Sequence, residues 1–274
     1  METDLPGIRA NPDRSPKRRR PPAPRIRQVP AVTRAIAILR LLGKSDEPLG
    51  VNAIARALDL IPSTCLHILR ILVGEELVAF DAATKRYSLD AGMLTLARSV
   101  IRRNGFNEIV QPWLDRLSES YGVTAIGVQA TGLDHMVVVA ISRSNSPLRL
   151  HVEIGSRFPA LISATGRCLA AFGGRPWSEL ESGFRTLRWD RPPSLRQWRA
   201  EIEAVRANGY STDEGNYIRG VTILAVPVLN QQGIMSHSIV AVGVGEQIEQ
   251  VGATALVNDM RNAATSVSEN SGWA

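Results

Sequence analysis

The stretch Leu60-Ile61-Pro62-Ser63-Thr64-Cys65-Leu66-His67-Ile68-Leu69-Arg70-Ile71-Leu72 decides how the chain is read. Its spacing predicts a helix with two unlike faces. Cys65, Ile68, Leu69 and Leu72 recur at helical intervals and form an inward face. Ser63, Thr64, His67 and Arg70 fall on the other side, near the helix start. Pro62 suits a first turn, because the N–H groups there lack intrahelical partners in any case. A short helix at about 51–58, with Ile54, Ala55 and Leu58 inward, precedes it across the tight join Asp59-Leu60-Ile61. Helix, turn, then a helix with small polar and basic residues at its exposed start is a helix-turn-helix pattern. Such a second helix enters the major groove of DNA, where hydroxyl, imidazole and guanidinium groups reach base edges and phosphates. Taken alone, the stretch fits an amphipathic core helix equally well.

The flanks favour the first reading. Upstream, Val32, Ala35, Ile36, Leu39 and Leu42 predict a third amphipathic helix. Downstream, 77–80 and 86–89 read as two short strands about the turn 81–85. Three helices and a hairpin make a winged helix-turn-helix domain over 29–90. Lys85 and Arg86, at the wing, suit phosphate contacts or a solvated hairpin tip. Residues 91–105 read as a linker helix. Met93, Leu96, Ala97, Val100 and Ile101 lie on one face, and Gly105 is placed as its C-terminal stop. That face is expected to pair with another subunit or to pack within the chain.

A length of 274 residues accommodates two domains and a tail. The net charge of +6 is concentrated at one end. Residues 1–28 hold eight Lys and Arg against three Asp and Glu, leaving only about +1 on the other 246 residues. This Pro- and Arg-rich segment is expected to be disordered. It is either a basic arm adding sequence-independent affinity for phosphates or a solvated tail. The folded part is not generally basic, so its case for DNA rests on the motif. No apolar run approaches the ~20 residues that span a bilayer, and no signal-peptide pattern opens the chain. No membrane partner and a cytoplasmic location are expected. Cys65 and Cys168 fall in different predicted domains and give neither a disulfide framework nor a metal-ligand spacing.

Residues 106–270 form the second domain. A helix is predicted over 107–121, with Ile109, Val110, Trp113, Leu114 and Leu117 inward. Strands are predicted at 123–130, 135–142, 149–153, 222–229 and 236–245. Helices are predicted at 163–172, 195–208 (stopped by Gly209) and 247–267. The order gives an α+β layout about an antiparallel sheet, with the look of GAF- and PAS-type sensor domains. Catalytic machinery is missing. The histidines at 67, 135, 151 and 237 have no zinc-like spacing, no nucleophile elbow surrounds a serine, and no phosphate-cradling loop occurs. No cofactor and no metal are expected. Asp213 and Glu214 are adjacent and cannot face one substrate together from a strand; they read as two exposed acids after a turn.

Over about 29–269 the chain resembles the IclR family of bacterial transcriptional regulators. Leu60–Leu72, with the pair Ser63-Thr64, is similar to that family's recognition helix. Phe158-Pro159 through Ala164-Thr165-Gly166-Arg167 resembles the segment with Pro and then Ala-x-Gly-Lys. Gly209-Tyr210, Asp213, Gly220-Val221 and Ala225-Val226-Pro227-Val228 resemble the C-terminal signature. The resemblance implies a winged DNA-binding domain, a linker helix and a GAF-like effector domain. It also implies dimers, often paired into tetramers, on palindromic double-stranded operator DNA. A small organic or aromatic acid in the C-terminal domain would then alter DNA binding or RNA polymerase recruitment. The candidate DNA-binding residues are Ser63, Thr64 and His67 for bases, and Arg70, Lys85 and Arg86 for phosphates. Ser163, Ala164, Thr165, Gly166, Asp213 and Ile223 are the effector candidates, with backbone N–H groups at a helix start suited to a carboxylate.

The departures from the family are specific. His67 stands where Arg is usual, Asn216 where an acid is usual, and Ile223 where Cys, Ser or Ala is usual. They imply a less polar pocket and a ligand with more apolar surface than a two-carbon keto acid, or an Ile223 that fills the pocket. The competing function is a small α+β enzyme or ligand-sensing module that uses its winged domain only to dock a partner. An enzyme would require a catalytic constellation, and the sequence offers none.

Overall fold

The computed structural model describes residues 29–270 except 104, 133 and 144–151. It divides into two units after Leu96. The basic segment 1–28 lies outside the described residues.

The first unit is built on α1 (Pro30–Leu42), β1 (Leu49–Gly50), α2 (Val51–Ala57), α3 (Pro62–Gly74), β2 (Val78–Asp81) and β3 (Arg86–Leu89). The chain bends by 113° between α2 and α3, within the range of a helix-turn-helix. Asp59 makes the turn with φ of 51°, a conformation Asp tolerates better than most residues. Cys65, Ile68, Leu69 and Leu72 of α3 are buried against Ile54 and Ala55 of α2. The three strands pair antiparallel in the order β1-β3-β2. β1 is too short to leave a periodic signal. Asp81 shapes the wing turn, accepting from the Ala83 N–H at 2.8 Å and the Thr84 hydroxyl at 2.6 Å.

The inward face of α1 differs in part from expectation. Leu42 is buried and Ala35 and Leu39 pack against the core as expected, but Ile38 is buried too, whereas Val32 and Ile36 are exposed. The helix has apolar residues all around its N-terminal half, so periodicity alone does not choose between its faces.

The helix α4 (Gly92–Arg103) spans the division between units, and α5 (Gly105–Tyr121) follows. Gly105 therefore opens a helix rather than ending one. Phe106, fully buried, draws the helix start back to it. The second unit continues with β4 (Thr124–Thr131), β5 (His135–Ile141), β6 (Arg157–Pro159), α6 (Ser163–Phe172), α7 (Trp177–Phe184) and α8 (Leu195–Asn208). β7 (Ser211–Glu214), β8 (Val221–Leu229), β9 (Met235–Val244), α9 (Gly245–Val251) and α10 (Ala253–Asn270) complete it.

Six antiparallel strands run in the order β6-β5-β4-β9-β8-β7. Alternation along β8 sends Ile223 and Ala225 into a core with α6, α7 and α8, and Leu224, Val226 and Val228 into a core with α5 and α10. The result is a sheet covered by helices on both faces.

Two expectations are corrected here. The strand expected at 149–153 falls partly outside the described residues, and Val152 and Glu153 carry no strand; the edge is β6 instead. The single helix expected over 247–267 is two helices, broken at Gly252, whose φ of 87° suits only glycine.

His237 of β9 is buried and stacks on Phe106 with ring centroids 4.3 Å apart. Burial pushes its pKa down from 6.5 to about 4, so the folded state holds it neutral. The unfolded chain binds the proton first as pH falls, so the neutral form's stabilisation is present in full above pH 6.5. It is lost as pH falls from 6.5 to 4 and amounts to about 3 kcal/mol. Urea unfolding of the full chain across that window is expected to show His237→Gln with a flatter pH dependence than the parent. Parallel curves for the two would contradict this assignment.

Candidate functional site

Two separate surfaces collect the predicted residues. On α3, Ser63, His67 and Arg70 are exposed and Thr64 is half-buried, all on the side away from Cys65, Ile68, Leu69 and Leu72. Pro62 opens the helix, and Ile61 is its N-cap. Lys85, exposed in the wing turn, has φ of 54°. Arg86 is less free than its sequence position implied. It donates to the Pro48 carbonyl at 3.1 Å and stands 4.0 Å from Glu47. An exposed pair of that kind contributes little to stability.

The second surface is a small, partly open cavity in the effector unit. Ile126, Val128, Met136, Phe158, Val240 and Val242 form its sheet wall, and Ile162, Ser163 and Thr165 form its α6 side. Tyr217, Ile218 and Ile223 complete the lining. Its free volume is about 70 Å³. The lining is almost wholly apolar, as Ile223 led us to expect. Ser163 is the exception that matters. It starts α6 with φ of 60°, and its hydroxyl is buried without a hydrogen-bond partner. A larger cleft of about 750 Å³ lies on the outer side of β7 and β8, between α10 and Arg191 and Arg219. It contains none of the predicted residues.

Gly166 has a packing role. A Cβ there would stand 2.0 Å from the Leu161 carbonyl carbon, so only glycine lets α6 approach that backbone. Its own N–H donates to the Ile162 carbonyl at 2.8 Å and is not available to a ligand. The N–H groups of the first turn, at Ser163, Ala164 and Thr165, have no intrahelical acceptor.

Asp213 corrects the sequence reading most clearly. It is fully buried in β7, while Glu214 beside it is exposed. One carboxylate oxygen accepts from Arg167 Nη1 at 3.2 Å. The other accepts from the N–H groups of Asn216 at 2.9 Å and Tyr217 at 3.2 Å. Asp213 is thus not among the cavity-lining residues; it holds the loop that carries Tyr217 and Ile218 to the cavity. Arg167, which sequence reasoning passed over, is the centre of the arrangement. It is 1 % exposed. Nε donates to Glu201 at 2.6 Å, Nη2 to Asn216 Oδ1 at 2.9 Å, and the guanidinium lies over the Trp189 ring. The signal was there in the sequence: a basic residue at the inward spacing of a helix otherwise made of small and apolar residues must have buried partners.

Two family models match the chain. The model described as the IclR helix-turn-helix domain covers residues 31–82, and the bacterial transcriptional regulator IclR C-terminal model covers 98–269. A glycerol operon regulatory protein of Streptomyces griseus is 30 % identical over 254 residues, spanning 90 % of this chain and 98 % of that protein. The HTH-type transcriptional repressor AllR of Klebsiella pneumoniae is 26 % identical, over 76 % of this chain and 78 % of that protein. Among solved structures, an IclR transcriptional regulator from Alicyclobacillus acidocaldarius superposes with a TM-score of 0.74 at 27 % identity, covering 89 % of this chain and all of that one. An IclR homologue from Microbacterium hydrocarbonoxydans, solved with 4-hydroxybenzoate, shares the fold at 15 % identity, with a TM-score of 0.74 and 88 % and 98 % coverage.

Removing one partner of a buried ion pair leaves an uncompensated charge. Arg167→Met, which strands Asp213, is expected to cost about 3–5 kcal/mol of unfolding free energy in urea titration. A loss under about 1 kcal/mol would mean that the pair does not hold this unit together.

Proposed function

The chain belongs to the IclR family of bacterial transcriptional regulators, and from that premise we propose how its parts divide the work. Residues 29–90 read operator DNA, 91–105 connect, and 106–270 sense an effector, while the segment 1–28 adds affinity for phosphates. The regulator acts in the cytoplasm. It is a regulator and not an enzyme, as its relatives are.

One observation carries the DNA reading. Ser63, His67 and Arg70 project from α3 into solvent, while the opposite face of the same helix closes the core. They lie outside the buried core, and they stand where a helix-turn-helix presents its base-reading groups. Ser63, Thr64 and His67 face bases; Arg70, Lys85 and Arg86 face phosphates. The histidine is shorter than the arginine that the family resemblance implies at this position, and Arg70, one turn on, supplies a longer basic side chain. Self-association is supported by the exposed apolar stripe of Val32 and Ile36 on α1 and Val29 at its N-cap, whose spacing suits a second copy.

In the effector unit, the unpartnered Ser163 hydroxyl and the first-turn N–H groups of α6 would receive a carboxylate, with the apolar lining taking an aromatic or branched body. Asp213 and Gly166 act through position, not contact. Ligand pockets usually run to about 300–1,000 Å³, so an acid of that kind enters only when Tyr217 and Ile218 give way. The Arg167–Asp213 pair anchors that loop at its base.

The primary test is fluorescence anisotropy with DNA from upstream of the chain's own gene, at two salt concentrations, against scrambled competitor. Saturable binding that resists the competitor supports the reading, and equal binding to scrambled DNA contradicts it. Arg70→Ala is expected to weaken binding to all sequences alike and to lower the salt slope by about one. A change in sequence preference alone would remove its phosphate role. For the effector, an aromatic acid at about 100 times its Kd should stabilise the full chain by about 2.7 kcal/mol. Ser163→Ala should lose most of that gain. Stabilisation by a two-carbon keto acid but by no aromatic or branched acid would overturn the apolar-ligand reading.

A further inference from the structure

Ile61 breaks two local rules at once. It is the N-cap of α3, extended at φ −68° and ψ 128°, and its carbonyl accepts the first helical bond from the Cys65 N–H at 3.0 Å. An isoleucine has no side-chain oxygen for the first turn's N–H groups, and it ranks near the bottom at this position, where Ser, Thr, Asp and Asn lead. The helix accordingly lacks a side-chain cap. The side chain is also 70 % exposed, more than any other large apolar side chain among the described residues. Neither capping nor burial explains a branched aliphatic group at 61. Positions where local rules fail without a folding benefit are where function is expected.

Its surroundings say what it meets. Ile61 directly precedes Pro62 and Ser63, both exposed, at the leading end of the helix. That end is the one a helix-turn-helix brings to base edges. The major-groove edge of DNA carries one apolar group, the C5 methyl of thymine. We infer that Ile61 reads a thymine methyl in each operator half-site, so that this half-site is specified in part by an apolar contact beside the polar ones from Ser63, Thr64 and His67. The inference rests on α3 lying in the major groove, as proposed above. A better cap at 61 would stabilise the helix and forfeit the contact. Ile71 provides the internal comparison. It is 66 % exposed on the same helix, but it lies ten residues on, about 15 Å further along the axis.

The test uses the full chain and the duplex it enriches from a randomised library. Each symmetry-related pair of thymines is replaced in turn by deoxyuridine, which lacks only the methyl. One pair is expected to weaken the parent about four-fold per half-site, the equivalent of burying one methyl group. Ile61→Ser should bind the thymine and uracil duplexes equally at that pair, with a thermal midpoint at or above the parent's. Ile71→Ala should respond to the replacement as the parent does. If Ile61→Ser stays as sensitive as the parent at every thymine, or if its effect is a loss of self-association in sedimentation, the role of Ile61 is refuted. Changing Ser63, Thr64 and His67 separates this from the premise. If those changes alter the enriched sequence and Ile61→Ser does not, only the methyl contact fails. If none of them does, or if no duplex is enriched, the placement of α3 in the groove fails with it.

Discussion

A guanidinium withdrawn from water must be matched by partners that replace its hydration, and Arg167 meets that demand with Glu201, Asp213 and Asn216. Much of the effector unit follows from this one side chain. It ties α6 to α8 and β7, and through Asp213 it holds the N–H groups of Asn216 and Tyr217. Arginine suits the place better than lysine, because its fork reaches three acceptors at fixed angles. Tyr217 and Ile218, which line the cavity, sit on the loop that Asp213 pins. The Arg167–Asp213 pair thereby fixes the base of the loop whose Tyr217 and Ile218 line the cavity.

In the winged unit the governing constraint is the division of α3 into two faces. Cys65, Ile68, Leu69 and Leu72 fix how the helix docks, and that leaves Ser63, His67 and Arg70 facing outward whatever DNA sequence is bound. Folding and reading are thus assigned to different residues of one helix. Substitution on the outer face leaves the buried face of the helix untouched.

The sequence made most of this architecture readable where patterns were long. The faces of α3, the extents of α6 and α8, the stop at Gly209 and the β8–β9 hairpin followed from period, caps and turn residues. Reading failed where tertiary contacts overrode local signals. Gly105 begins a helix because Phe106 is buried behind it, and Val32 and Ile36 face out because Ile38, which was not on the expected face, joins Leu42 in the core. Asp213 looked like an exposed acid because its partner lies 46 residues away on another element. Ile223 was legible as a wall of the cavity, because a bulky apolar residue inside a strand has few other uses. Tyr217 and Ile218 were not, since nothing local says that a glycine-bounded loop folds back over a hydroxyl 54 or more residues earlier.

The central claim is that the winged domain reads DNA and the basic arm does not. The most direct measurement compares selective DNA binding by the full chain, by the chain lacking residues 1–28, and by the full chain with Ser63, Thr64, His67 and Arg70 all changed to alanine. The account predicts that the shortened chain binds more weakly but keeps its preference over scrambled DNA, and that the fourfold variant loses the preference with its arm intact. A preference that disappears with the arm and survives the change of α3 would contradict it.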